Sequence, residues 1–207
     1  MKKLGIQFYN RQNVVTIAKE LIGKIITTNF DHIITSGRIV ETEAYIGISD
    51  RASHSFEGKR TARNEHMYAE AGTAYVYICY GMHHLFNVVT NQKNIPDAVL
   101  IRAIEPLQGI DDMLIRTQKK KLDNSLTKGP GNVSKALGIS KKHSGLYLES
   151  DELFICADKK SDDYINSEIV IGISSRIGIE GAGEQAVSLP YRFYIKGNKF
   201  VSGYPNK

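Results

Sequence analysis

"TAYVYICYGMHHLFNVVT" fills residues 73–90. Tyr75, Tyr77 and Cys79 alternate with Val76, Ile78 and Tyr80, the period of two that sends successive side chains to opposite faces of a strand. "YGMHH" supplies a turn, and "LFNVVT" carries the chain back, so the stretch reads as a β-hairpin. It is the strongest strand signal in the chain.

Working outward, the neighbours agree. "KIITTNF" (24–30) and "GRIVETEAYI" (37–46) read as strands around a turn at "TSG" (35–37). "AVLIRAIEP" (98–106) is a further strand with Arg102 at its centre. "NRQNVVTIAKELIGK" (10–24) carries Val14, Ala18, Leu21 and Ile22 at helical spacing, with Asn10 or Asn13 as cap and Gly23 suited to the far end. "LQGIDDMLIRTQKKKL" (107–122) reads as a helix with a basic end, and "TKGPGNVSKALGIS" (127–140) as a Gly/Pro turn feeding a short helix. "GLYLES", "ELFICAD", "EIVIG", "SRIGI" and "YRFYIK" read as short strands. Residues 46–72 are polar and irregular, with a short helix near "RNEHMYAE". Helices and strands do not alternate regularly. The expectation is an α+β fold: one domain over residues 1–207, a curved, mostly antiparallel sheet, a protruding hairpin and flanking helices.

Composition sets outer bounds. Of 207 residues, 42% are hydrophobic and 24% charged, the balance of an ordinary globule. Lys and Arg number 27 against 22 acids, a net +5 compatible with a phosphate-backbone partner. Cys79 and Cys156 form no CxxC pair, which argues against a structural zinc site and fits a reducing compartment. "MKKLGIQFYN" lacks the apolar region of a secretory signal, and no apolar run reaches the length of a membrane span. These features read as a soluble intracellular chain with no membrane partner.

Chemistry-bearing residues crowd one region. Glu41 and Glu43 share a strand face with Ile39, while Val40, Thr42 and Ala44 take the other. Glu43 and Arg102 each lie in an otherwise apolar strand. They form a structural ion pair or a solvated sheet face, or else Glu43 is a carboxylate kept ionised by a guanidinium to take a proton from water. Four of the six histidines (His54, His66, His83, His84) fall between residues 54 and 84 without HExxH spacing, so hydrogen bonding or exposure is favoured over metal. Tyr45, Tyr68, Tyr75, Tyr77 and Tyr80 pack in the core or form a stacking platform for a base, and Tyr80 sits where it would wedge into a duplex. Arg51, Lys59, Arg60 and Arg63 interleave with them. Lys128 and the glycines of "KGPGNVSK" precede a helix N-terminus, a natural phosphate site. GxxxxGK[ST] and GxSxG are absent.

"GRIVETEAYIG", "ASHSFEGKRTARNEHMY", "GTAYVYICYGMHHLFNVV", "AVLIRAIEPLQG", "KGPGNVSKALGI" and "SSRIGI…YRFYIKGNKFVS" together resemble the alkyladenine (3-methyladenine) DNA glycosylase family, in the family's order. The resemblance implies a monofunctional enzyme that flips alkylated or deaminated purines out of double-stranded DNA. Water then hydrolyses the N-glycosidic bond, with no metal and no cofactor. It implies a monomer working in the cytoplasm, on nucleoid DNA if the cell is bacterial. Position by position it implies Glu43 as general base and Arg102 as the residue holding that water and the glutamate. Tyr45, His54 and Tyr77 would contact the flipped base, and Asn87 would crowd a purine 2-amino group. Tyr80 would fill the gap in the duplex, with Arg60, Arg63 and Lys128 on DNA. Glu41 is implied to be a non-catalytic neighbour. The loop at 91–97 looks longer than in vertebrate members, which bears on pocket shape, and His83 and His84 are expected to face DNA or solvent. The competing readings are a non-catalytic damaged-DNA-binding module and a hydrolase of small nucleosides.

Overall fold

The computed structural model describes residues 2–157 and 170–203. In chain order these form β1 (Lys2–Lys3), α1 (Ile6–Tyr9), α2 (Val14–Glu20), β2 (Ile25–Phe30), β3 (Ile33–Tyr45), β4 (Ala74–Cys79), β5 (His83–Thr90) and β6 (Asp97–Gln108). Then follow α3 (Ile110–Thr117), α4 (Pro130–Leu137), β7 (Leu153–Ala157), β8 (Ile171–Ser174), α5 (Glu184–Ser188) and β9 (Arg192–Ile195). The strands make one curled sheet in the order β1-β7-β2-β3-β6-β5-β4, with β9 joining β3 and β8. Every described pairing is antiparallel. The α+β class, the curved sheet and the hairpin are as the sequence predicts.

β3 is the spine. Its first half pairs with β2 and its second half with β9, while β6 runs along its other edge. The buried core gathers Ile17 and Leu21 of α2, Ile39 and Val40 of β3, Phe86 of β5, Ile101 and Ile104 of β6 and Val133 and Leu137 of α4. Asn13 caps α2 by accepting from the Thr16 amide at 3.0 Å, which satisfies one of the orphan donors of the first turn. Thr42 ties β3 to that helix by donating to the Ala18 carbonyl at 2.8 Å. No described helix is long and apolar enough to cross a membrane.

Several sequence expectations shift. The turn between β2 and β3 lies at Asp31 and His32, both left-handed (φ 53° and 64°), and "TSG" is inside β3. Two left-handed residues suit the right-handed twist of the flanking strands. Gly37 is there for close approach instead: a Cβ would come within 2.6 Å of Ile104 Cδ1. α3 starts after Gly109 and stops at Thr117, so Leu107 and Gln108 belong to β6 and the lysine run lies beyond the helix. "GLYLES" and "SRIGI" make turns and isolated bridges rather than strands, and Glu168 and Ile169 of "EIVIG" lie outside the described residues. The helix near "RNEHMYAE" is a 3-10 turn at Glu65–Tyr68.

Candidate active site

Two register irregularities shape the centre of the sheet. Ile39 pairs with Ile104, Glu41 with Ala103 and Thr42 with Ile101, so Val40 on β3 and Arg102 on β6 stand unpaired. An unpaired bulge residue re-aims its side chain and sharpens the local twist. Arg102 Nε reaches Glu41 Oε1 and its Nη1 reaches Glu43 Oε2, each at 3.2 Å. One guanidinium thus serves both glutamates, and all three residues are buried.

The two carboxylates are bound differently. Glu41 Oε1 accepts from Arg192 Nε at 2.7 Å and from the Ser202 hydroxyl at 2.7 Å, while Oε2 accepts from the Ser202 amide at 2.7 Å. Glu43 Oε1 accepts from the Ile177 amide at 2.8 Å, and Oε2 from the Tyr45 hydroxyl at 2.9 Å as well as from Arg102. An ionised carboxylate offers about four acceptor positions, and three protein donors take three of those on Glu43. Burial pushes the Glu43 carboxyl up. Arg102, the Ile177 amide and the Tyr45 hydroxyl hold it down, and the Glu41 charge pushes it up again. Burial likewise holds the Tyr45 hydroxyl well above its ordinary range, so Tyr45 stays a donor.

Sheet register carries this site to an aromatic cavity. Glu43, Leu100, Asn87 and Tyr75 stand opposite one another across β3, β6, β5 and β4, and Tyr45 stands opposite Ala98. Tyr45, Ala98, Asn87, Tyr75 and Tyr77 line the cavity together with Met67 and the loop residues Ala52, Ser53 and His54. His54 meets Tyr77 edge-on at 4.5 Å between centroids and hydrogen-bonds the Tyr75 hydroxyl through Nδ1 at 2.8 Å. Burial, with Arg63 and Lys59 adding to it, lowers the His54 pKa to about 4, so the ring is neutral at physiological pH. The Asn87 amide is fixed by donating to the Tyr75 and Leu85 carbonyls at 3.2 and 3.3 Å. The cavity has room to hold water.

The loop over the cavity hangs on one buried side chain. Asn64 donates to the carbonyls of His54 and Lys59 and to the Ser55 hydroxyl, and its Oδ1 accepts from the Thr61 amide and hydroxyl. On the other flank, Arg176 is bidentate to Asp50 and stacks on the Tyr45 ring at 4.6 Å.

The hairpin β4–β5 ends in Tyr80, 87% exposed, with Met82 beside it at 72%. Tyr80 (φ 50°) and Gly81 (φ 73°) are both left-handed, an unusual conformation for a bulky residue. Arg63 donates to the Ile78 carbonyl at 3.2 Å, and Lys128 lines a cleft with Tyr80 and His83. Arg60 is bidentate to Glu65, so a phosphate there would have to share or displace that carboxylate. His83 is exposed and His84 half-buried. The 91–97 loop turns to Tyr9 and Tyr68, through the Asn91 and Asn94 amides, and none of its residues lines the cavity. Among the described residues no three His, Cys, Asp or Glu side chains converge as metal ligands would.

The structure therefore brings Glu43, Arg102, Tyr45, His54, Tyr77 and Asn87 together and sets Tyr80, Arg63 and Lys128 around the hairpin. Sequence reasoning missed Tyr75 as the partner of His54, although the alternation Tyr75–Tyr77 marked them as one face. It missed Ile177, Arg192 and Ser202 because their partners on β3 are more than a hundred positions away.

Comparison with known proteins meets this geometry. The family model for methylpurine-DNA glycosylase matches residues 7–199. A Clostridium perfringens (strain 13) protein named "Putative 3-methyladenine DNA glycosylase" is 44% identical over 97% of this chain and 98% of its own. Relatives with the same name from Clostridium acetobutylicum and Bacillus cereus (strain G9842) are 45% and 46% identical, the first over 97% of each chain and the second over 92% of this chain and 94% of its own. The chain belongs to the methylpurine-DNA glycosylase family, hydrolases acting on the N-glycosyl bonds of DNA.

Proposed function

We propose that residues 1–207 form one monofunctional glycosylase domain. It flips an alkylated or deaminated purine out of double-stranded DNA into the aromatic cavity, where a Glu43-activated water hydrolyses the N-glycosidic bond. The observation that carries this reading is Glu43 itself. It is a buried carboxylate whose three protein donors take three of about four acceptor positions, tied through the Tyr45 hydroxyl to the wall of a cavity lined by aromatic rings. As the bond breaks, the sugar becomes oxocarbenium-like. A carboxylate beside it stabilises that charge and takes the proton of the attacking water. Arg102 favours the ionised carboxylate against the burial that opposes it, and fixes its plane.

The remaining groups serve recognition. Extruding a damaged base costs a few kcal/mol, and stacking returns about 1–3 kcal/mol per base. Tyrosine faces also attract the positive charge of a 3-methyladenine or 7-methylguanine, and neutral His54 does not repel it. Hypoxanthine and ethenoadenine fit the same walls as neutral planar bases. Asn87 crowds a 2-amino group, Tyr80 occupies the vacated stack, and Arg60, Arg63 and Lys128 meet phosphates. The reading carries with it a monomer without metal or cofactor, acting on cytoplasmic or nucleoid DNA.

The test is base release from duplexes carrying one hypoxanthine or one ethenoadenine, and from methylated genomic DNA, with EDTA present. Alkali-labile sites should form with the wild type and vanish with Glu43→Gln, which keeps lesion binding. Excision by Glu43→Gln at the wild-type rate rejects the assignment. Tight lesion binding with no release by the wild type supports the non-catalytic module.

A further inference from the structure

The pair Glu41–Ser202 has no place in the mechanism above, yet it is a densely bonded polar centre of the sheet. Glu41 is fully buried and takes Arg192 Nε, Arg102 Nε and both the amide and the hydroxyl of Ser202. Arg192 in turn donates to the Ser202 carbonyl at 2.6 Å and to the Ser174 hydroxyl at 2.9 Å. Arg102 Nη2 reaches the Ser202 hydroxyl only at 3.4 Å.

A guanidinium left alone with one carboxylate pairs with it through two parallel N–H bonds. Here Glu41 holds Arg102 by Nε, and Glu43 receives a single N–H from Nη1. A bidentate Arg102 would fill the acceptor position on Glu43 that the attacking water needs. Glu41 and Glu43 also share one guanidinium, so the second glutamate is less fully neutralised than in a private pair. We infer that Glu41, clamped by Ser202 and Arg192, is a positioning residue that turns Arg102 so that Glu43 keeps one acceptor position open for water. The inference rests on Glu43 being the base.

The experiment is single-turnover excision of hypoxanthine from duplex DNA between pH 5 and 9, for wild type, Glu43→Gln, Glu41→Gln and Ser202→Ala, with melting temperatures alongside. Glu41→Gln removes a like charge from beside Glu43 and weakens the hold on Arg102, because a neutral amide oxygen accepts less strongly than a carboxylate. The rate at the optimum should fall on the order of tenfold to a hundredfold, the scale of a reacting group misplaced by an ångström. The acid limb of the pH profile should move to lower pH, since both changes favour the ionised Glu43. Ser202→Ala keeps all four charges and the Ser202 amide, so it should perturb folding less than Glu41→Gln, and it should slow excision several-fold with the limb displaced the same way. A merely structural role would lower the melting temperature and the active fraction while leaving the profile in place. Folded variants with wild-type rate and an unmoved acid limb overturn the inference. Loss of activity in Glu43→Gln alone would leave the base assignment standing, whereas activity retained in Glu43→Gln removes both.

Discussion

Glu43 on β3 and Asn87 on β5 stand opposite the same residue, Leu100 of β6. Residues paired in register point to one face of a sheet, so the proposed base and the residue proposed to crowd a purine edge are spaced by two strand separations of about 4.7–4.9 Å each. Neither sits on a loop. Their separation is a property of the sheet, which resists deformation more than a loop does.

Tyr45→Phe keeps the ring on the cavity wall and removes one donor from Glu43 Oε2. A hydrogen bond to a charged group is worth about 1.5–3 kcal/mol, and its loss weakens the ionised form. Excision should slow by about tenfold, taking the lower end of that range. The acid limb should move to higher pH, the reverse of Glu41→Gln. A limb that stays put would separate Tyr45 from the carboxylate.

In the wild type, burial outweighs the donors around Glu43 and holds its carboxyl above the usual range. The acid limb of the excision rate should therefore lie above the ordinary glutamate value of about 4.3. A pH–rate profile flat down to that value would show the donors winning instead.

His54 has its pKa lowered to about 4 in the fold, against about 6.5 in the unfolded chain. Between those values the unfolded state binds the extra proton, so stability falls as pH falls through that window and recovers above it. His143, also lowered to about 4, adds to the slope. Urea midpoints at pH 7 and pH 5 should differ less in His54→Gln than in the wild type; an equal difference would place the slope elsewhere.

Tyr80 holds a left-handed conformation that costs a side chain about 1–2 kcal/mol. Asn adopts it more readily. Tyr80→Asn should leave the melting temperature unchanged or raised, while the dwell time on lesion DNA shortens because nothing fills the vacated stack. Unchanged dwell would remove Tyr80 from the DNA contact.

Asn64→Ala deletes the side chain that joins His54, Ser55, Lys59 and Thr61. Buried groups left without partners cost about 1–3 kcal/mol each. Amide exchange across residues 54–64 should accelerate while exchange in β3 and β6 stays slow. Uniform acceleration would mean that the loop opens only with the whole fold.

The hairpin and the central strands were legible in the alternation of their side chains, and Glu43 and Arg102 as charges in apolar strands, whereas their proposed roles and those of Tyr45, His54, Tyr77 and Asn87 rested on the family resemblance. The turn was misread because a glycine in sequence signals either a turn or a close approach, and Gly37 is the second kind. Arg102 was legible as a charge in an apolar strand, but not as a bulge, since a register irregularity belongs to two strands at once. Ser202 and Arg192 were invisible for a similar reason: a serine and an arginine near a strand carry no mark until β9 is laid against Glu41.

That last pairing has a consequence for how the protein comes into being. β9 joins the stretch Glu41–Glu43 directly, and Ile177, Arg192 and Ser202 supply its donors. A nascent chain that has left the ribosome as far as residue 150 carries both glutamates and Arg102 but none of these partners. Domains fold as units, so the two carboxylates gain these donors only once the C-terminal segment is available. An unfinished polypeptide thus lacks the donors that complete the proposed site, and only the segment that carries β9 supplies them.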